Sequence, residues 1–197
     1  MAFTLKQELL RKLIHLSSFW IVFAIWFLPR VWCILFLCAI TIFVLVSEYE
    51  THKNSLCARI YRFLFSPVLR EKEKDAVFGF SGAPYVLIAA LALVIIVSKS
   101  VAIFALSVLL ISDSSAALMG RAFGRHHLIG HKTVEGTMAF LLSGFLISFL
   151  FQYTTYLPLN LCFCGVFLGC LGDLFNEKIH IDDNLSIPLL TALPFLL

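Results

Sequence analysis

Charged residues are scarce in this chain: Asp, Glu, Lys and Arg make up 14% of its 197 residues, while 60% are hydrophobic. Ordinary soluble domains carry about 25% charged residues, so that class is excluded. The mean hydropathy of +0.95 points to a chain solvated largely by lipid. Cysteine occurs six times, at Cys33, Cys38, Cys57, Cys162, Cys164 and Cys170, and never as a C-x-x-C pair. Most of these sit in apolar runs, where cysteine acts as a small hydrophobe, so neither a disulfide framework nor a zinc site is expected. H-E-x-x-H, internal repeats and low-complexity tracts are all missing. The net charge of +3 is small, and no nucleic-acid partner is expected.

What the chain has in abundance is the apolar run. Such runs cover 13–28, 31–46, about 76–98, 100–119, 136–151, 156–171 and 185–197. They predict an all-α, polytopic helical bundle of about seven transmembrane segments, one membrane-embedded domain over 1–197. Ser81-Gly82-Ala83-Pro84 interrupts the third run. The last is 13 residues long and carries Pro188 and Pro194, short of the ~20 that normally span. A basic start (Lys6, Arg11, Lys12) before an apolar run resembles a signal peptide, but no small-x-small cleavage site follows. Trp26, Pro29, Arg30 and Trp32 read as interface anchors, so this is expected to be a retained helix.

The polar stretch 48–75 mixes Arg59 and Arg62 with bulky apolar residues over 56–65, which suits a helix lying on the membrane surface. The charge run 70–75 reads as a solvated face. With the amino terminus placed in the cytoplasm, 13 of the 15 Lys and Arg fall on inside segments, leaving only Arg30 and Lys99 outside. The positive-inside rule selects that orientation. It also puts the 120–135 and 173–184 loops on one, cytoplasmic side.

The chemistry is expected in the glycine-punctuated polar stretch from Asp113 to Thr137. Asp113 is the only acid within an apolar run, about 10 Å of helix before Gly120. An acid at that depth is a functional hypothesis by default; the alternative is a structural ion pair. Beyond Gly120 come Arg121, Arg125, His126, His127, His131 and Lys132, then Glu135 as the next apolar run begins. A buried acid, a group of cations and an acid at a helix start suit a Mg²⁺–nucleotide site. Gly124 to Thr133 superficially resembles a P-loop, but G-x₅-G-H-K-T has an extra residue in each gap and follows a membrane helix rather than a strand. Thr133 is placed to cap the next helix, with Gly136 allowing a close approach. Further on, Gly172-Asp173-Leu174 ends the sixth run, and Asp182-Asp183-Asn184 is either a helix cap or a source of carboxylates for the same site. Arg11 and His15 share a helical face at i, i+4.

The expected metal ligands are Asp113 and, where the D-D-N turn faces the Arg121–Lys132 loop rather than only capping its helix, Asp182 and Asp183. Arg121, Arg125, His131 and Lys132 are expected to cradle phosphates, with Gly120, Gly124, Gly136 and Thr137 lining the site. Glu135 is expected to order the metal or Lys132, or to act as base toward a hydroxyl. The catalytic group is thus Asp113, Lys132 and Glu135, with Arg11, Lys12 and His15 as lipid or nucleotide contacts.

Four stretches in order carry a resemblance: R-K-L-I-H-L at 11–16, D-S-S-A-A-L-M-G-R-A-F-G at 113–124, G-H-K-T-V-E-G-T-M-A-F at 130–140 and D-D-N-L-S-I-P-L at 182–189. Together they are similar to the CTP-dependent lipid-alcohol kinases, the dolichol, phytol and CTP-using diacylglycerol kinases. The resemblance covers nearly the whole chain. It implies transfer of the γ-phosphoryl of CTP, with Mg²⁺, to a membrane lipid alcohol. G-R-x-x-G, K-T-x-E-G and Gly172-Asp173-Leu174 also resemble the distantly related phosphatidate cytidylyltransferases, whose carboxyl-terminal P-G-H-G-G and D-R-x-D patterns are absent here. Cytidylyl transfer to a lipid phosphate is therefore the alternative chemistry, and a lipid-binding or transport membrane protein the alternative class. Against a transporter, the polar residues gather at one interface and form no path across.

Overall fold

The computed structural model describes residues 5–51 and 82–197. The expected surface helix over 56–65, the charge run 70–75 and Cys57 lie outside the described residues. Within them the chain is helical, with one isolated antiparallel bridge between His127 and Thr133. The helices are α1 (Leu5–Ser17), α2 (Phe19–Phe27), α3 (Arg30–Thr51), α4 (Gly82–Ile96), α5 (Lys99–Ser107), a π-helical segment (Val108–Asp113), α6 (Ser114–Phe123), α7 (Val134–Thr155), α8 (Leu159–Ile179) and α9 (Asp183–Ala192), followed by a 3₁₀ turn at Leu193–Phe195. Residues 48–51 of the expected 48–75 loop belong to α3, which reaches Thr51.

Among the described residues five stretches are long and apolar enough to cross a membrane: Glu8–Phe27, Arg30–Tyr49, Lys99–Phe123, Val134–Thr155 and Leu159–Asn176. The other two of the seven expected segments give shorter helices among the described residues. The described part of the third run is helix α4, the 15 residues Gly82–Ile96. Helix α9 has 10, with Pro188 inside it. Proline inside a helix costs a hydrogen bond, and α9 gives way to the 3₁₀ turn that carries Pro194.

The centre of the bundle is the continuous span from α5 through the π segment to α6. Every residue from 101 to 110 is buried, with Phe104 edge-on to Phe151 of α7 and to Phe195. Helix α9 lies along α8 on a glycine face: a Cβ on Gly165 would strike the carbonyl oxygen of Thr191, and one on Gly169 its hydroxyl. Ile187 and Thr191 are completely buried there. Gly165→Val is therefore expected to destabilise the fold by about 1–3 kcal/mol through overpacking, read as a lower melting temperature of the purified protein in detergent.

The two ends of the bundle differ in kind. At one end Arg30 donates to the carbonyls of Val94 and Ile95 at 2.9 and 2.6 Å, and Lys99 reaches that of Leu28 at 3.4 Å. These two cations complement the negative ends of α4 and α2. The opposite end gathers the start of α1, the 124–133 loop, the end of α8 and the start of α9. The 120–135 and 173–184 loops thus share one end, as expected.

Candidate functional site

Asp113 closes the π segment. A wider helical turn changes which way the following residues face, and such insertions recur at functional sites. Here Asp113 is buried against α1, where Lys12 Nζ donates to its Oδ2. His15, one turn on, brings Nε2 to 3.5 Å from the same oxygen, yet this buried nitrogen has no hydrogen-bond partner. Arg11 turns instead to Glu8 on its own helix, at 2.5 Å.

Lys132 is carried by the loop between α6 and α7. Backbone bonds from Leu128 N to Lys132 O, Lys132 N to Ile129 O and Val134 N to His126 O tie that loop across itself. Gly130 makes its turn at a φ of 55°, a conformation open to glycine. Lys132 Nζ donates to Asp173 Oδ1 of α8 at 2.5 Å. Burial pushes the Lys132 ammonium down, but the carboxylates of Asp173, Asp183 and Asp113 outweigh it and hold its pKa above the usual lysine value.

The third acid comes from α9. Asp182 is the N-cap residue: its Oδ1 accepts from Asn184 N at 3.0 Å and from Asn184 Nδ2 at 2.8 Å. Asp183, the first residue of the helix, is buried and accepts from Asn184 N at 3.1 Å. Asp113, Asp173 and Asp183 each offer a carboxylate oxygen, and these oxygens all lie within 4.8 Å of one another. Three buried carboxylates so close repel strongly unless cations balance them. Lys12 and Lys132 supply two. The set is made of hard oxygen donors, the chemistry that suits Mg²⁺ or Mn²⁺, so these residues fit a divalent ion.

Of the three expected ligands, Asp113 and Asp183 are brought together, whereas Asp182 caps its helix; the third carboxylate of the group belongs to Asp173, which was not among those expected. Asp173 lies within α8, so Asp113 is not alone as an acid inside an apolar helix. Lys132 is ordered by Asp173 rather than by Glu135. Asp182→Ala is expected to cost about 1 kcal/mol of stability, as for a lost N-cap, while leaving metal affinity within a factor of a few. A thermal melt and a Mn²⁺ titration of the one variant check both halves.

Glu135 stands outside the carboxylate group. Its Oε1 is 2.8 Å from His126 Nδ1, and its Oε2 is 3.4 Å from the His126 backbone nitrogen. With Ala122, Phe123, Gly124 and Arg125 these two residues line an open groove beside the loop. Arg121, Arg125 and His131 are exposed on the same stretch. Two of the glycines expected around phosphate have a packing role. A Cβ on Gly136 would lie 2.8 Å from the Ala116 carbonyl oxygen and 3.3 Å from Gly120 Cα. Helices α6 and α7 therefore cross backbone to backbone, and the crossing sets the distance between Asp113 and the Lys132 loop. Thr133 caps α7, its Oγ1 accepting from Gly136 N at 3.2 Å, and Thr137 turns its hydroxyl back onto the Thr133 carbonyl at 3.0 Å. Gly136→Val is expected to separate the helices, lowering both melting temperature and metal affinity, where Gly165→Val lowers the first alone.

No protein-family model matches the chain, and no solved structure matches it. Two curated proteins do. "Uncharacterized protein RP860" of Rickettsia prowazekii is 31% identical over 185 residues, 91% of this chain and 88% of that protein. "Uncharacterized protein MJ1137" of Methanocaldococcus jannaschii is 33% identical over 142 residues, 70% of this chain and 69% of that protein. Identity at this level along most of both partners makes the chain a member of one family with RP860 and MJ1137.

Proposed function

We propose that the protein is a membrane-bound kinase that transfers the γ-phosphoryl of a nucleoside triphosphate to the hydroxyl of a lipid alcohol. The resemblance of its motifs points to CTP as donor and to a polyprenol, phytol or diacylglycerol type of acceptor. The observation that carries the reading is the convergence of Asp113, Asp173 and Asp183 with Lys12 and Lys132 at one end of an apolar helical bundle. Phosphoryl transfer needs little covalent chemistry from a protein and much positioning and charge stabilisation. Asp113, Asp173 and Asp183 would hold Mg²⁺, which when bound neutralises phosphate charge. Lys132 donates to the phosphate nearest the carboxylates, while Arg121, Arg125 and His131 serve the outer ones. Glu135 keeps His126 in place as a wall of the nucleotide groove.

The alcohol arrives from the bilayer side past α1, where Leu9, Leu13 and Ile14 are exposed. In this reading α4 and α9 complete a bundle of seven segments. The amino terminus and the carboxylate end face the cytoplasm, where the nucleotide is. A second reading, cytidylyl transfer to a lipid phosphate, is favoured by the place of Asp173 in the group, since its Gly172-Asp173-Leu174 setting is similar to that of the phosphatidate cytidylyltransferases. Purified protein incubated with γ- or α-labelled CTP and a mixed lipid extract separates the readings. Label entering lipid from the γ position alone supports the kinase, label from the α position supports cytidylyl transfer, and label from neither overturns both.

A further inference from the structure

Lys12 is buried as completely as any charged residue described: its side chain is 1% exposed, and its ammonium donates to Asp113 Oδ2. An ammonium at such depth is tolerated only against a carboxylate with which it is well paired. Lys132 does the same for Asp173, so of the three grouped acids only Asp183 has no ammonium on it among the described residues. Three negative charges against two positive leave the group with one negative charge. A single divalent ion reverses that sign. A second would bring the net charge to three positive, with no further carboxylate in the group to share it. Two-metal phosphoryl-transfer centres set their ions about 3.5–4 Å apart and need free carboxylate oxygens for both. Here one oxygen of Asp113 and one of Asp173 are already taken by lysines.

We propose that Lys12 is a tethered cation standing in the place of a second metal ion, so that the site takes one divalent ion, on Asp183 and the remaining oxygens of Asp113 and Asp173. The inference rests on the metal-dependent reading above and adds a role for α1. Lys12 of its Arg11-Lys12-Leu13-Ile14-His15 stretch is then part of the site's charge set rather than a membrane anchor. Lys12 is a positioning residue: it fixes Asp113 and limits the stoichiometry. The unpartnered His15 Nε2 beside the same oxygen shows that α1 brings polar groups to this point beyond those it needs for its own hydrogen bonding.

The test counts ions rather than turnover. Full-length protein in detergent is titrated with Mn²⁺ without nucleotide, and free Mn²⁺ is followed by electron paramagnetic resonance. The native chain and Lys12→Arg, which keeps the charge, are expected to bind one ion. Lys12→Met is expected to bind two. If Lys12→Met does not fold, judged by gel filtration and melting, Lys12→Gln serves as the neutral variant, since it can still donate to Asp113. Two ions on the native chain would mean that the metal displaces Lys12, and the proposal falls. A folded neutral variant that binds one ion with native affinity makes Lys12 a structural pair, and the proposal falls again. A native chain that binds none overturns the metal reading itself, an outcome distinct from the other two.

Discussion

Asp183→Asn is expected to lower phosphoryl transfer by roughly 100- to 1,000-fold, on the scale of a lost charge-stabilising group in a preorganised site, with little change in melting temperature. The reason lies in how the three acids are balanced. Asp113 and Asp173 each bond a lysine, so an amide at either position orphans a buried ammonium as well as removing a ligand. Loss of turnover in those variants is open to a folding explanation. Asp183 bonds no ammonium among the described residues and accepts only from the Asn184 backbone. Asparagine keeps its shape and an acceptor oxygen for that N–H, and it removes one of three mutually repelling charges. Stability should hold or rise slightly while the metal loses a charged ligand. Initial rates against Mg²⁺ concentration, beside a thermal melt, decide the matter. Native turnover in a folded Asp183→Asn would remove α9 from the site, and with it the argument for three ligands. Asp182→Asn, one residue away, is the matched control, because its oxygen serves the helix start.

The neighbouring acids also show where reading the sequence stops. D-D-N before an apolar run marks a helix start, and the distribution of Lys and Arg places that start beside the Lys132 loop. Which acid caps and which faces inward depends on where the first helical residue falls, and two adjacent acids of the same type carry no signal for that. Asp113 was legible because a lone carboxylate in a long apolar run has no cheap alternative in lipid. Asp173 was harder: the apolar run ahead of it ends at Leu171, which leaves it just beyond the run. Helix α8 nevertheless continues to Ile179, which keeps Asp173 inside the bundle, only 2% exposed. The available clue was Gly172-Asp173-Leu174 on the same side as the Lys132 loop. Nothing in Val-Leu-Leu-Ile-Ser-Asp marks a π segment, because its wider turn arises from packing and not from residue type. The glycines were legible as points of close approach at Gly136, but whether a phosphate or another helix makes the approach is a tertiary fact. The membrane class itself needed only composition and run length.

Lys132→Met should be among the most disruptive single changes at this end of the bundle, and also a repairable one. Removing the ammonium leaves the Asp173 carboxylate buried without its partner, a loss of about 3–5 kcal/mol for fully buried pairs. The Lys132 side chain is one-quarter exposed, which puts the expected cost at the lower end of that range. Adding Asp173→Asn removes the orphaned charge, so the double variant should recover most of the lost stability. On the proposed function neither variant should recover phosphoryl transfer, since the cation proposed to face phosphate is gone from both and one proposed metal ligand from the second. A structural pair with no part in the chemistry predicts the opposite for the double variant, with activity returning along with stability. The pH dependence gives an independent reading. Because the carboxylates hold the Lys132 pKa above its ordinary value of 10.5, the native state keeps this proton more tightly than the unfolded chain does. The resulting stabilisation is fully present below the unfolded lysine pKa and is lost as pH rises through the higher folded value. The native protein should therefore lose melting temperature more steeply than Lys132→Met once the pH passes about 10.5. Parallel alkaline profiles for the two would show that Lys132 gains nothing from its carboxylates on folding, and the charge balance drawn for this site would fail with it.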